Sequence, residues 1–161
     1  MVQKHKKMSI IYNLYQQFMS NPDGHALFTK AVCQTAPYFS TIDPLVEEIR
    51  PGYSRVSMKK TKEVHNHIQT VHAIAMANLC ELAMGMAIEA SIPEDKRWIP
   101  FNMNISYLKK AETDLTATCH LETPDWANIK DLPLNISVKD TNDVEVVTAT
   151  ITLRISDKKK K

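Results

Sequence analysis

Residues 64–86 read VHNHIQTVHAIAMANLCELAMGM and decide the fold of this 161-residue chain. From Val71 the segment is almost wholly apolar, and the run continues to Ile92, which is long enough to cross a bilayer. It nevertheless contains four polar residues that would be costly in lipid, namely His72, Asn78, Glu81 and Glu89. The stretch therefore predicts a long helix at the centre of a protein core and no membrane span.

Beyond this helix the hydrophobic period changes from about 3.6 residues to two, which is the switch from helix to strand. Apolar and polar residues alternate in four segments, 99–107, 115–121, 134–138 and 147–155. The connections KKAETD (109–114) and DTND (140–143) are short enough for antiparallel hairpins, whereas TPDWANIKD (123–131) has the length for a crossover or a lip. Strands that are polar on one face need an apolar layer on the other, and only the central helix can supply it. The sequence thus predicts an antiparallel sheet wrapped around one helix.

The N-terminal third predicts two further helices. Apolar residues at helical spacing mark one helix over residues 10–18, which NPDG (21–24) ends, and a second helix covers 25–35 before Pro37. Two strand candidates follow at 46–49 and 53–59, joined by the turn signal RPG. We therefore expect an N-terminal helical extension (1–44), a main α+β domain (45–156) and a basic C-terminal tail (157–161).

Composition and charge exclude several classes of protein. A chain that is 43% hydrophobic and 24% charged can bury the core of one domain. The net charge of +2 comes with lysines gathered in KHKK (4–7) and in the closing DKKKK, which read as solvated tails. No arginine-rich stripe with interleaved aromatic residues is present, so nucleic acid is not the expected partner.

The cysteines and the N-terminal residues indicate the cellular compartment in which the protein is expected. Cys33, Cys80 and Cys119 make an odd count without a C-x-x-C spacing, which fits a reducing compartment. Cys80 and Cys119 lie in apolar patterns where a thiol packs as a small hydrophobic group. The first residues lack a signal-peptide pattern, so we expect a cytoplasmic protein.

Three polar residues around the start of the helix have a regular spacing. Asn66 is followed six residues later by His72, and Glu81 comes nine residues after that. This segment resembles the hotdog-fold acyl-CoA thioesterases of the phenylacetate-degradation type, whose pattern is an Asn, then HGG, then an acid at the same distances. NISYLKKAETDLTATCHLE (104–122) is similar to that family's strand, basic turn and next strand. The resemblance implies the hotdog fold, an acyl-CoA or acyl-carrier thioester as substrate, no cofactor, and a homodimer or homotetramer.

The chemistry of thioester hydrolysis suits these residues. Glu81 would be buried in the apolar run and would act as a general base on water or attack the acyl carbon directly. The unpaired N–H of Ala73 or Ile74 at the helix N-terminus would bind the oxyanion. Asn66 would position water or substrate, and His72 would orient the loop or assist the carbonyl.

Two lysines complete the predicted substrate site. Lys109 and Lys110 follow the first strand after the helix, where the resemblance implies that coenzyme A phosphates pass. Their ammonium groups would act as point charges toward phosphate. The other interpretation is a hairpin turn with two solvated lysines.

The same residues can also be interpreted as having purely structural roles. Glu81 could be a buried carboxylate held by Asn78 or by a partner subunit, His72 could cap the helix, and Asn66 could be a turn residue. Both glycines of HGG are replaced, by Ala73 and Ile74, which is the argument for a non-catalytic acyl-CoA or fatty-acyl binding protein.

A metal site is the main competing chemistry. Glu63, His65, His67 and His72 lie close in sequence, and imidazoles with a carboxylate suit zinc or iron. The spacing to His72 is not a standard ligand pattern, so no metal is expected.

The positions of His72 and Glu81 around the helix axis predict a site shared by two subunits. Nine residues at 100° per residue turn Glu81 about half a revolution away from His72. A two-fold dimer could bring Glu81 of one chain to Asn66 and the Ala73 amide of the other.

Overall fold

The computed structural model describes residues 9–159. The basic segment KHKK and the last two lysines, both expected to be solvated, lie outside the described residues. In chain order the helices are α1 (Ile10–Phe18), α2 (Gly24–Thr35) and α3 (Ala73–Glu89), and short 3-10 helices occupy Pro37–Ile42 and Lys62–Val64. The strands are β1 (Pro44–Arg50), β2 (Tyr53–Met58), β3 (Lys96–Tyr107), β4 (Leu115–His120), β5 (Asp131–Asp140) and β6 (Glu145–Asp157). Within residues 9–159 no helix combines the length and apolarity needed to cross a membrane.

The six strands form one antiparallel sheet in the order β1-β2-β4-β5-β6-β3, which curves around α3. The middle of α3 is fully enclosed, with Leu79, Leu82 and Met84 at 0% exposure. On β4, β5 and β6 alternate residues point to the helix and the intervening ones point to solvent. The predicted sheet wrapped around a central helix is confirmed.

One predicted connection is wrong. β3 does not pair with β4 through KKAETD; it pairs with β6, where Met103 lies opposite Ile151, and β4 lies between β2 and β5. The segment is instead tied to other elements, since Ala111 accepts a hydrogen bond from the Val71 N–H at 2.9 Å and Asp114 accepts one from the Lys60 N–H at 2.8 Å. The loop thus carries the chain past the N-terminus of α3. The DTND turn does join paired neighbours, β5 and β6.

The N-terminal helices share the core of the sheet. Phe28 of α2 is fully buried and meets the rings of Tyr15 and Phe18 from α1 at 5.2 and 5.9 Å between centroids. Thr29 accepts a hydrogen bond from the Val46 N–H at 2.9 Å, which attaches α2 to the edge strand β1. Close packing explains Gly24, because a Cβ there would come within 2.3 Å of the Phe18 carbonyl oxygen.

The 3-10 helix after Pro37 was not predicted. Pro37 does end α2, but the next residues continue to coil because Ser40 and Thr41 donate side-chain hydrogen bonds to carbonyls three residues back, at 2.6 and 2.7 Å. Such local bonds compete with extended structure and leave no hydrophobic period to detect.

β3 differs from the other long strands. None of its twelve residues is buried, and Ile99 and Phe101 are 63% and 54% exposed. The alternation in this strand predicts one covered face, but a bulge between Pro100 and Asn102 interrupts it. Trp98 and Ile105 pack against the core, and within residues 9–159 nothing pairs with the second edge of the strand. A long apolar edge strand is a site for pairing with another chain.

Burial of Cys80 and Cys119 predicts a loss of stability in alkali. Both thiols are fully buried, and desolvation raises the pKa of each to about 12, against about 9 for an exposed thiol. Below pH 9 both thiols are protonated in the folded and in the unfolded protein. Above pH 9 the unfolded chain loses the thiol protons first, because the pKa values of its thiols are lower. The free energy of unfolding should therefore fall between about pH 9 and 12, as urea titrations at several pH values would measure.

The Cys80→Ala/Cys119→Ala variant is the control for tyrosines and lysines that titrate in the same range. It should lose less stability over this interval than the wild type. An identical decline in both proteins would contradict the role of the thiols.

Candidate active site

The sheet leaves one stripe along the surface of α3 uncovered. Ala73, Ala77 and Glu81 are spaced by four residues and Glu89 follows eight residues later; all four are exposed or half-buried, whereas Gly85 between the two glutamates and most other residues of the helix are buried. Glu81 is exposed, so the expectation that it is buried is wrong for one chain. The reason is the helical period, which places position 81 opposite the face that the strands cover.

Nothing in the described part of the chain holds Glu81. Within residues 9–159 its carboxylate makes no hydrogen bond or ion pair. Asn78, the expected partner, donates instead to the Thr41 hydroxyl at 3.1 Å. The interpretation of Glu81 as a structural carboxylate held by Asn78 is therefore wrong.

Glu81 lies where two concave surfaces meet. On one side is an apolar cavity of about 420 Å³ between α3 and the N-terminal helices, which we call the helical cavity. Its walls include Ile11, Leu14, Phe28, Val32, Phe39 and Met86. On the other side is a groove of about 260 Å³ along β3, lined by Phe101 and Met103. Glu81 lines both.

His72 forms the N-cap of α3. Its Nδ1 accepts a hydrogen bond from the Ile74 N–H at 3.1 Å, which in the neutral ring requires the proton on Nε2. The predicted capping role is confirmed. The Ile74 amide is thereby engaged, so among the two predicted oxyanion donors Ala73 is left, since the first N–H groups of a helix lack intrahelical acceptors.

Asn66 builds the turn that precedes α3. Its Oδ1 accepts from the N–H groups of Ile68 and Thr70 at 3.1 and 3.0 Å, and its Nδ2 donates to the Thr70 hydroxyl at 2.7 Å. Gln69 in this turn has a φ of 63°. All these bonds are local, so the amide of Asn66 fixes the loop that leads to His72.

Four predicted site residues line one groove of about 390 Å³, which we call the lysine groove: Asn66, Ala73, Lys109 and Lys110. Tyr107 lines it too and donates a hydrogen bond to the Ala73 carbonyl at 3.0 Å. Burial raises the pKa of Tyr107, which keeps its hydroxyl a donor. The groove therefore combines a helix N-terminus with two exposed ammonium groups.

The remaining predicted residues lie elsewhere. Glu81 is two turns along α3 from Ala73, about 12 Å by helical rise, and does not line the lysine groove. His72 and Ile74 line a separate pocket of about 200 Å³ beside Asn78. One chain thus does not bring the carboxylate to the helix N-terminus.

The competing metal site is not assembled. Within residues 9–159 no three His, Cys, Asp or Glu side chains come together as metal ligands. Hydrogen bonds from its own backbone N–H and from the Thr61 side chain lower the pKa of Glu63 and occupy its carboxylate. Glu63, His65 and His72 line the same pocket of about 200 Å³, but their side chains are not arranged as metal ligands.

A further concavity of about 840 Å³ lies on the outer face of the sheet. Its polar groups bond to one another, as in Ser137 to Glu145 at 2.5 Å and Thr150 to Asn135 at 2.8 Å. None of the predicted site residues lines it. Glu122 and His120 also line it, but among the pockets of residues 9–159 no apolar cavity like the one beside Glu81 adjoins them.

Sequence reasoning missed Tyr107 and the helical cavity. Tyr107 belongs to the alternating pattern of β3, and only its position immediately before Leu108 and the two lysines distinguishes it. The helical cavity is formed by residues far apart in the chain, so no local pattern could reveal it.

Comparisons with known proteins agree with this architecture. The model of the family DUF4442, a domain of unknown function, matches residues 24–155. No curated protein is significantly similar. A solved structure known as genomics APC5556 is 38% identical, with a TM-score of 0.81 over 93% of this chain and all of that chain.

More distant structures share the fold. PA5026 from Pseudomonas aeruginosa, a protein of unknown function called a probable thioesterase, is 18% identical, with a TM-score of 0.70 over 76% of this chain and 88% of that one. A hypothetical thioesterase from Streptococcus pneumoniae, solved with coenzyme A, is 16% identical, with a TM-score of 0.65 over 80% and 99%. The chain thus has the hotdog fold that the resemblance implied.

The cap at His72 predicts a specific loss of stability. His72→Ala removes the acceptor for the Ile74 N–H and should lower the free energy of unfolding by about 1 kcal/mol. His72→Ser supplies another capping oxygen and should restore most of that stability. Urea titration measures both, and a serine variant as unstable as the alanine variant would contradict a capping role.

Proposed function

We propose, because the chain belongs to the DUF4442 family and has the hotdog fold, that it is an acyl-CoA thioesterase. The observation that carries this proposal is the position of Glu81, an unpartnered carboxylate on an otherwise enclosed apolar helix, between the helical cavity and the groove along β3. The names of the similar structures, which include thioesterases and one solved with coenzyme A, support the choice of substrate.

The proposed reaction uses Glu81 as the general base. Its carboxylate takes a proton from water, the water oxygen bonds to the thioester carbon, and the C–S bond breaks. The thiolate of coenzyme A then receives that proton from Glu81. Direct attack by the carboxylate, through an anhydride that water cleaves, is the other route open to the same group.

The oxyanion needs a donor that one chain does not place near Glu81. The Ala73 N–H at the positive end of α3 is suited to it, but it lies about 12 Å along the helix. We place the Ala73 of a second subunit opposite Glu81, in a two-fold dimer formed along the exposed apolar strand β3. Lys109 and Lys110 would then lie on the same side as that amide and bind the phosphates of coenzyme A.

A non-catalytic acyl-CoA binding protein is the second candidate. It is favoured by the engagement of the Ile74 amide with His72, which leaves fewer free donors than a glycine-rich turn would offer. The unpartnered Glu81 favours the enzyme, because a binding protein gains nothing from a free carboxylate beside an apolar cavity.

Glu81→Gln tests the catalytic role directly. The side chain is exposed and makes no bond within residues 9–159, so the variant should fold normally. Turnover of acyl-CoA, followed as free thiol, should fall by about 10²–10⁴-fold, the usual contribution of a general base. Glu122→Gln changes another exposed carboxylate, one that lies outside both concavities beside Glu81, and should retain most activity. A folded Glu81→Gln protein with wild-type turnover would remove the carboxylate from the mechanism.

Complementation tests the shared site. Ala73→Pro deletes one N–H at the first position of α3, where proline fits, and should lower turnover by about 10²–10³-fold. Co-expressed with Glu81→Gln, it should give heterodimers that hold one site with both changes and one with neither. Random pairing then restores about a quarter of wild-type activity by the symmetry of the dimer. Verified heterodimers without recovery would place each site within one chain.

A further inference from the structure

We propose that the helical cavity binds the acyl chain of the substrate, and that this chain is a medium-length aliphatic one of roughly eight to ten carbons. The inference rests on the proposed function, because it takes Glu81 as the position of the thioester carbon. It adds a role for the N-terminal helices, which would set the length of the acyl chain.

The walls of the cavity are of the kind that an alkyl chain needs. Apolar side chains come from α1, α2 and the following 3-10 helix, and Ile11, Leu14, Phe28, Ala31, Val32 and Phe39 form most of the surface opposite α3. The cavity encloses about 420 Å³, within the range of small-molecule sites. The transfer of an alkyl chain from water into such an apolar cavity is thus favourable in free energy.

The two carboxylates of the cavity are not equivalent. Glu89 accepts a hydrogen bond from the Trp98 indole N–H at 2.7 Å, and the Trp98 ring lies against Gly85, whose added Cβ would be 4.0 Å from Cη2. Glu81 has no such partner within residues 9–159. The end at Glu89 is therefore closed by a satisfied pair, and the end at Glu81 is free for chemistry.

The separation of these two ends sets the chain length. Eight residues of helix at 1.5 Å each separate Glu81 from Glu89 by about 12 Å, which at ordinary C–C bond lengths accommodates roughly eight to ten extended carbons. Each methylene that leaves water should strengthen binding about fourfold until the cavity is filled.

Other occupants fit less well. Residues 1–8, MVQKHKKM, carry three lysines and a histidine, which an apolar cavity does not accept. A second copy of the chain would have to insert a side chain past Glu81, whereas the exposed Phe101 and Met103 of β3 offer it an apolar surface outside the helical cavity.

The first experiment is a series of acyl-CoA substrates from acetyl to palmitoyl. The ratio kcat/KM should rise with chain length to an optimum at octanoyl or decanoyl-CoA and stop rising beyond it. A wild-type enzyme that prefers acetyl-CoA, or that shows no dependence on chain length, would overturn the inference while leaving the thioesterase activity established.

The second experiment fills the cavity. Ala31→Leu places a larger side chain in its wall and should lower kcat/KM for decanoyl-CoA relative to butyryl-CoA by at least tenfold. Gln34→Leu adds a leucine to the exposed side of α2 and should leave this ratio unchanged. Equal ratios in the two variants would overturn the inference. Should Ala31→Leu not fold, Leu14→Ala enlarges the same cavity and should shift the optimum to a longer chain; an unchanged optimum would count against it.

A binding measurement separates this inference from the proposed function. In the Glu81→Gln background, calorimetry should show decanoyl-CoA binding more tightly than coenzyme A, and Ala31→Leu should reduce that difference at least tenfold. Binding of this kind with no hydrolysis by the wild type would reject the thioesterase and keep the cavity as an acyl site. Equal affinity for decanoyl-CoA and coenzyme A would reject the cavity whatever the activity.

Discussion

The apolar surface of α3 must be removed from water, and the rest of the structure is arranged around that requirement. Leu79, Leu82, Met84 and Ile88 are completely enclosed, and each contributes roughly 1.5–3 kcal/mol by burial. A single sheet cannot cover the whole circumference of a helix, because its strands pass on one side only. The uncovered stripe through Ala77 and Glu81 is the geometric consequence.

This uncovered stripe explains why the proposed chemistry is placed there. Most other positions of α3 are enclosed, and a carboxylate at one of them would need a partner inside the core. At position 81 the carboxylate is exposed and lies beside the apolar walls of the helical cavity. The N-terminal helices complete these walls, and the bonds from Thr29 and Tyr15 to β1 backbone groups hold them in place. The extension thus belongs to the same core and forms one side of the candidate site.

β3 has apolar side chains that remain exposed to solvent in a single subunit. Ile99, Phe101 and Met103 remain exposed in the described chain, and a bulge between Pro100 and Asn102 places Ile99 and Met103 on opposite faces of the strand. The lysine groove lies at one end of β3, and Glu81 lies beside its middle, against Phe101 and Met103. Pairing along this edge would bring two incomplete half-sites together, which is the physical basis of the shared site proposed above.

The sequence by itself determined the central helix, the two N-terminal helices, most strands and the cap at His72. These features follow from local periodicity and from side chains that bond to their own backbone neighbours, so each is written within a few residues. Asn66 is of the same kind, and its turn could be expected from residue type. The candidate residues Asn66, Ala73, Lys109 and Lys110 come from two separate segments that the resemblance singled out, and the structure places them along one groove.

The tertiary structure alone decided the rest. β3 pairs with β6, and the loop at Ala111 is tied to Val71, a contact between residues forty apart that no turn length predicts. The exposure of Glu81 depends on which side of α3 the strands cover. The sequence of the helix does not indicate that side, because the helix is apolar on nearly all of its faces. The helical cavity depends on three helices meeting at Glu81. Local sequence specifies each element, but the space between elements is set by how they pack, and a site formed in that space becomes visible only after packing is known.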